Sequence, residues 1–253
     1  MNIAIVGFGR MGRKIYEKAT LSSHRIVSVI DSFSSDPLVT DRNITAESLN
    51  GADAVIDFSA PAAAVGNIKK YADLKVPAVI GTTGWTEHLA EVREYVEKSR
   101  GTVLWSGNFS IGVAATLKIV SFASSLMNAL PSYDAAVFET HHRMKADSPS
   151  GTALMLADEV IRNLDRKDSV DTECQHSKIG ENVLHLSSLR VGSVPGTHEV
   201  IFDSDVDTIT ISHAARSRDG FASGAVRAAE WILEEKRTGL FSMDDFINSL
   251  LGV

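Results

Sequence analysis

The sequence predicts an α/β protein, a Rossmann-type parallel-sheet domain joined to a smaller α+β domain. Three observations predict it. The turn Gly7-Phe8-Gly9-Arg10-Met11-Gly12 directly follows a short apolar run at the N-terminus. Strand-like and helix-like runs then alternate as far as residue 108, as βαβ units on a parallel sheet do. Strand-like runs bunch together after residue 182, which points to a second sheet of its own.

Taken in order, residues 2–6 read as a buried strand and residues 13–21 as a helix. In a strand–turn–helix context the glycines have separate tasks. Gly7 makes the turn, Gly9 lets a pyrophosphate approach the backbone, and Gly12 lets the helix pack close to the strand. The second strand, residues 25–30, ends at Asp31, where an acidic side chain can accept hydrogen bonds from adenosine ribose hydroxyls. Residues 54–58 form a strand, 62–74 a helix, 77–80 a strand, 87–99 an amphipathic helix and 102–105 a strand. The tails Gly81-Thr82-Thr83-Gly84 and Ser106-Gly107-Asn108-Phe109-Ser110 fall at carboxyl ends of strands, the edge where open α/β sheets bind ligands.

In the second half, residues 111–130 read as a mostly apolar core helix, 133–139 as a strand and 151–164 as a helix. Residues 165–181 are polar and aperiodic and read as loop. Three strands follow, 183–191, 198–204 and 208–214, the last alternating Thr208, Thr210 and Ser212 against Ile209, Ile211 and His213. Residues 221–234 are an amphipathic helix.

The chain of 253 residues is 44% hydrophobic and 23% charged, enough to bury a sizeable core. A net charge of -7 argues against nucleic-acid and anionic-membrane partners, which need a basic face. The single cysteine, Cys174, excludes an intrachain disulfide and a cysteine-rich metal site. The chain starts on a strand pattern without a signal-type leader, and no apolar run reaches membrane-spanning length, so a cytoplasmic location is expected.

The densest chemistry lies between Glu139 and Ala153. His141, His142, Arg143 and Lys145 crowd into five positions, ahead of Asp147-Ser148-Pro149-Ser150-Gly151-Thr152. Each added positive charge makes its neighbours harder to protonate, so the group calls for an anion. Ser148 is expected to cap the helix with Pro149 in its first position, leaving the N–H groups of Ser150, Gly151 and Thr152 for a carboxylate. A ligand with two carboxylates is thereby gripped at both ends, while His141 or Lys145 handles a proton. No metal is expected, because adjacent histidines seldom face one ion and no i, i+4 ligand pair accompanies them.

His-His-x-x-Lys followed by Asp-x-Pro-Ser-Gly-Thr-Ala resembles the signature of the 4-hydroxy-tetrahydrodipicolinate reductase (dihydrodipicolinate reductase) family, and the resemblance extends over essentially the whole chain. It implies NAD(P)H-dependent reduction of a cyclic imino dicarboxylate on the way to diaminopimelate and lysine. On that resemblance His141 and Lys145 are catalytic, and His142, Ser150, Gly151 and Thr152 bind substrate. The cofactor is held by Gly7, Phe8, Gly9, Arg10, Met11, Gly12, Asp31, Gly81, Thr82, Thr83, Ser106, Gly107, Asn108, Phe109 and Arg218. It further implies that residues 1–108 and 217–253 make a discontinuous dinucleotide-binding domain, that residues 109–216 bind substrate, and that their sheet builds a homotetramer. Asp31 favours NADH, with NADPH possible. Ser106-Gly107 stands where the family commonly has Ala-Pro, Ala114 where Asn is common, and Thr197 where an acidic residue is usual. Two rival readings share the glycine turn, another dehydrogenase of small amino or imino acids and a non-catalytic metabolite sensor. Neither requires the His-His-x-x-Lys run.

Overall fold

Asn2–Val6 (β1) is buried from Ile3 onward because it lies inside a parallel sheet covered on both faces. The computed structural model describes residues 1–234 and 237–252. They divide into two compact units, residues 1–111 with 219–253, and residues 112–218.

In the first unit β1 leads through the glycine turn into Arg10–Leu21 (α1) and Arg25–Ile30 (β2). The chain continues through Ala54–Asp57 (β3), Pro61–Leu74 (α2), Ala78–Ile80 (β4), Leu89–Lys98 (α3) and Thr102–Trp105 (β5). Six strands form a parallel sheet in the order β11-β5-β4-β3-β1-β2, where β11 is Gly239–Ser242. Asp219–Glu234 (α6) and Met243–Leu251 (α7) also belong to this unit. Neither β11 nor α7 is among the elements expected from the sequence. β11 is only four residues long and begins at a glycine, so its strand character comes from pairing with β5. The helix α7 carries a capping box, Ser242 with Asp245, which does have a sequence signal.

Helix α1 starts three residues earlier than the periodicity suggests, with Gly9 as its N-cap. Gly7 has φ +84, and a Cβ on Gly12 would lie 2.1 Å from the Gly7 carbonyl oxygen. The turn therefore requires glycine at both places, at Gly7 for the backbone and at Gly12 for the approach. Asp57, fully buried at the end of β3, accepts from Tyr71 Oη (2.7 Å), Asn67 Nδ2 (3.0 Å) and the Ser59 N–H (2.8 Å). Thr82 Oγ1 lies 3.5 Å away, so one carboxylate ties together the tails of two neighbouring strands.

In the second unit Ile111–Asn128 (α4) and Gly151–Asn163 (α5) pack on a sheet ordered β10-β9-β6-β8-β7. The strands are Asp134–His141 (β6), Ser169–Asp171 (β7), Val183–Arg190 (β8), Thr197–Asp203 (β9) and Thr208–Ala214 (β10). Strand β6 pairs parallel with β8 and antiparallel with β9. Three sequence expectations are corrected here. Residues 165–181 are not all loop, since β7 forms by parallel pairing with β8 despite its polar composition. Strand β6 runs two residues further than expected, so His141 stands on the strand. The inward alternation Ala135, Val137, Glu139, His141 continues unbroken, with two polar side chains taking core positions. Finally, α4 is apolar enough by length and composition to cross a membrane, with mean hydropathy 1.3 over its 18 residues. Its Val113, Thr116, Val120, Ser124 and Met127 are buried at helical spacing, the pattern of a helix packed by one face, while Ile119, Phe122 and Leu126 are exposed.

Candidate active site

In the first unit a cavity of about 330 Å³ opens at the carboxyl ends of β1 and β2, lined among others by Gly7, Gly9, Asp31, Phe33, Arg42 and Lys70. Its size suits part of a dinucleotide. Nothing lies within 4 Å of where a Cβ on Gly9 would stand, so that backbone is open to a ligand. The Asp31 carboxylate accepts from the backbone N–H groups of Phe8 (2.7 Å), Ser34 (2.7 Å) and Phe33 (2.8 Å). Burial alone raises its pKa, but these three donors and the Arg42 charge outweigh burial and hold it below the ordinary value.

The remaining expected cofactor residues divide into exposed and internal. Arg10 is exposed and Met11 half-buried on the first turn of α1. Phe8 is buried against Tyr16, and Phe109 against Phe58. Gly81 sits so close to the Phe58 ring that a Cβ would fall 2.1 Å from it. Thr82 is buried, its carbonyl accepting from the indole N–H of Trp85 (2.8 Å) and of Trp105 (3.0 Å). Thr83 and Gly107 are exposed, while Ser106 and Asn108 brace each other through Ser106 Oγ to the Asn108 carbonyl (2.8 Å). Arg218 is exposed at the turn before α6.

In the second unit the register of the sheet assembles the basic cluster. Glu139 lies opposite Ser188 on β8 and His198 on β9, and His141 lies opposite Arg190. Glu139 Oε1 accepts from Ser188 Oγ (2.7 Å), Arg190 Nη2 (2.8 Å) and the Ser150 N–H (3.0 Å). Burial pushes the Glu139 pKa up, yet these bonds prevail and bring it down to about 2. Glu139 Oε2 faces His141 Nδ1 at 2.6 Å and His198 Nε2 at 3.9 Å. The His141 and His198 rings meet edge to face with centroids 5.0 Å apart. Burial is the main cause that lowers both imidazole pKa values, that of His198 to about 4. Glu139 opposes the shift in each, while Lys145 adds to it.

The helix start differs from expectation. Ser150, not Ser148, caps α5, its Oγ accepting from the Ala153 N–H (3.2 Å), and Pro149 lies ahead of the first helical residue. The Ser150 N–H is drawn to Glu139 and is not available to a ligand, because an acceptor buried beneath it holds the chain one step further along. Gly151 is exposed and Thr152 half-buried on the first turn. Lys145 Nζ reaches both Asp147 oxygens at 2.8 Å, and His142 lines an open depression with Arg143 and Met144.

Arg190 and His198 lie outside the run that the sequence singles out, and the partner they share is the carboxylate under His141. Arg42 and Lys70 were missed, since isolated cations on a loop and a helix give no local signal. Phe33 was passed over although it stands two residues after Asp31; it is 94% exposed at the cavity.

A glycine turn under an open cavity, an acidic residue at the end of β2 and a separate unit carrying a cationic cluster define a nicotinamide-dependent oxidoreductase with a Rossmann-type domain. Residues 1–109 match the family described as Dihydrodipicolinate reductase, N-terminus, and residues 112–247 match Dihydrodipicolinate reductase, C-terminus. The 4-hydroxy-tetrahydrodipicolinate reductase of Christiangramia forsetii is 37% identical over 250 residues, covering 99% of each chain. That of Archaeoglobus fulgidus is 35% identical, covering 98% of this chain and 100% of its own. The dipicolinate-bound dihydrodipicolinate reductase of Paenisporosarcina sp. TG-14 superposes with a TM-score of 0.78 at 21% identity, over 96% of this chain and 97% of that one. The chain belongs to the dihydrodipicolinate reductase family. It is an NAD(P)H-dependent oxidoreductase acting as a 4-hydroxy-tetrahydrodipicolinate reductase in diaminopimelate and lysine biosynthesis.

Proposed function

We propose that residues 1–108 with 217–253 bind the dinucleotide, that residues 109–216 bind the substrate dicarboxylate, and that His141 or Lys145 supplies the proton. The observation that carries this reading is the cationic run ending at the start of α5, with its buried carboxylate beneath. His142, Gly151 and Thr152 take the carboxylates, and Ser150 acts by holding the helix start in place. Gly7 to Gly12, with the tails of β4 and β5 and with Arg218, cradle the cofactor, whose nicotinamide supplies the hydride. The face of the second sheet away from α4 and α5, with Ala136, Phe138, Thr140, Ile201 and Thr210, is half-buried or exposed and suits a homotetramer interface. A cytoplasmic location goes with this reading.

The dicarboxylate assignment has a kinetic test. Thr152→Val raises KM for the substrate more than it lowers kcat, because this anchor holds substrate and transition state alike. An unchanged KM removes the helix start from the binding site.

For the cofactor we favour NADH. Asp31 suits ribose hydroxyls and repels a 2′-phosphate. Arg13 is engaged by Asp36 and lies over the Phe8 ring; of the cations Arg42 and Lys70 that line the cavity with Asp31, Arg42 is the one bonded to the Asp31 backbone. Arg42 Nη1 donates to the Asp31 carbonyl at 3.0 Å and to that of Ser34, and its remaining N–H groups can soften the repulsion. The expected preference is therefore a few-fold to about a hundredfold in kcat/KM, or about 1–3 kcal/mol. Arg42→Ala should widen it by weakening NADPH use selectively. A clear preference for NADPH in the unaltered protein overturns the Asp31 argument.

A further inference from the structure

Among the described residues Glu139 is the carboxylate buried under the cationic run. Its two oxygens are used very differently. Oε1 is surrounded by donors from three directions, Ser188 and Arg190 from β8 and the Ser150 N–H from the start of α5. That arrangement leaves the side chain no freedom to turn. Oε2 has no hydrogen bond from any of them, and it is buried. His141 Nδ1, 2.6 Å away, is likewise buried, and neither atom has a hydrogen bond to another group, so the carboxylate oxygen and the ring nitrogen face each other as a close ion-pair contact. An ionised carboxylate can only accept, so the nitrogen facing it must carry the proton.

We propose that Glu139 is a positioning residue that keeps the proton of neutral His141 on Nδ1 and leaves Nε2 as the nitrogen that gains and gives up the catalytic proton. This rests on the reading above that His141 handles a proton. The groups facing His141 are Glu139 on its own strand, Arg190 from β8, His198 from β9 and Lys145 from the following loop. Among them only Glu139 favours the imidazolium, while burial, Lys145 and Arg190 oppose it. Glu139 thus also sustains the protonated form from which Nε2–H is donated. His198, facing His141 and Ser150 Oγ (3.2 Å), stays neutral at physiological pH and closes the cluster on the β9 side.

Glu139, His141 and His198 each present an atom within 4.8 Å of the others, a spacing loose enough for a metal. Two features oppose one. Arg190 already sits on the carboxylate at 2.8 Å, and Oε2 to Nδ1 at 2.6 Å is shorter than the ~3.3 Å between neighbouring ligands of a tetrahedral zinc. The same atoms suit a shared proton.

The test reads the tautomer directly. In uniformly 15N-labelled protein, long-range proton–nitrogen correlation of the His141 ring, assigned by its loss in His141→Asn, should show Nδ1–H and an unprotonated Nε2 above the His141 pKa. Finding Nε2–H in the unaltered protein overturns the proposal, and that measurement needs no further variant. In Glu139→Gln the amide oxygen can keep the Oε1 partners while the NH2 group faces Nδ1, so the tautomer should invert to Nε2–H. Turnover should then fall about tenfold or more with cofactor KM unchanged, and the pH above which kcat declines should move down. An unmoved tautomer and an unmoved pH profile in this variant overturn it. The proton reading is tested separately, since near-normal turnover in His141→Asn refutes a catalytic His141 whatever tautomer the ring adopts.

Discussion

His141→Asn and Lys145→Ala should each lower kcat by about a hundredfold or more, the usual contribution of a positioned proton donor. Cofactor affinity should barely change in either. His141 is buried on β6 in the second unit, while the glycine turn and its cavity belong to the first, so neither substitution touches a residue lining that cavity. The two variants are expected to differ in what else they disturb. Lys145 pairs with Asp147, so its removal leaves one exposed carboxylate. His141 removal also opens space beside Glu139 and His198, and asparagine is chosen because its amide can still donate to the Glu139 oxygen. Steady-state kinetics with substrate generated in situ and followed at the nicotinamide absorbance gives the answer. Near-normal turnover in both variants would leave the cationic run without a catalytic role.

The second large effect belongs to the glycine turn, where two substitutions of equal size should behave differently. At Gly12 an added methyl would lie 2.1 Å from the Gly7 carbonyl oxygen and 3.1 Å from its carbon, so α1 must move away from β1. Overpacking of this kind costs about 1–3 kcal/mol and displaces the turn proposed to hold the cofactor. At Gly9 the same methyl meets no protein atom within 4 Å. Gly9→Ala should therefore keep the melting temperature of the unliganded protein while raising the NADH dissociation constant by about tenfold or more, equivalent to 1.4 kcal/mol or above. Gly12→Ala should lower both stability and affinity. Thermal denaturation and fluorescence titration with NADH separate the cases, and unchanged NADH binding in Gly9→Ala would remove the pyrophosphate from this turn.

These two predictions rest on different kinds of information. The glycine turn is written in consecutive residues, and its surroundings follow from β1 and α1 being joined by it. Its chemistry is therefore legible from residues 2–21 alone. The same holds for the parallel sheet, because strands buried on both faces must be apolar throughout and must alternate with helices. The cationic run is legible too, as a density of charge that no core accommodates. What could not be read locally is the carboxylate that organises it. Glu139 looks like one more polar residue at the end of a strand, and only the inward alternation of β6 sends it into the core. Its partners Ser188, Arg190 and His198 lie 49, 51 and 59 positions away in sequence.

The sequence by itself determined the fold class, the glycine turn with Asp31, and the cationic stretch from His141 to Thr152, because each depends on neighbours along the chain. Tertiary structure alone decided that β11 completes the first sheet, that Arg42 shares a cavity with Asp31, and that Ser150 caps α5 above a buried acid. The physical reason is one of range. Hydrophobic periodicity specifies which face of an element turns inward, but a buried polar group must be satisfied by whichever donors the strand register brings opposite it. That register is set by the packing of the whole unit, and in this protein it places an arginine, two serines and two histidines around one carboxylate.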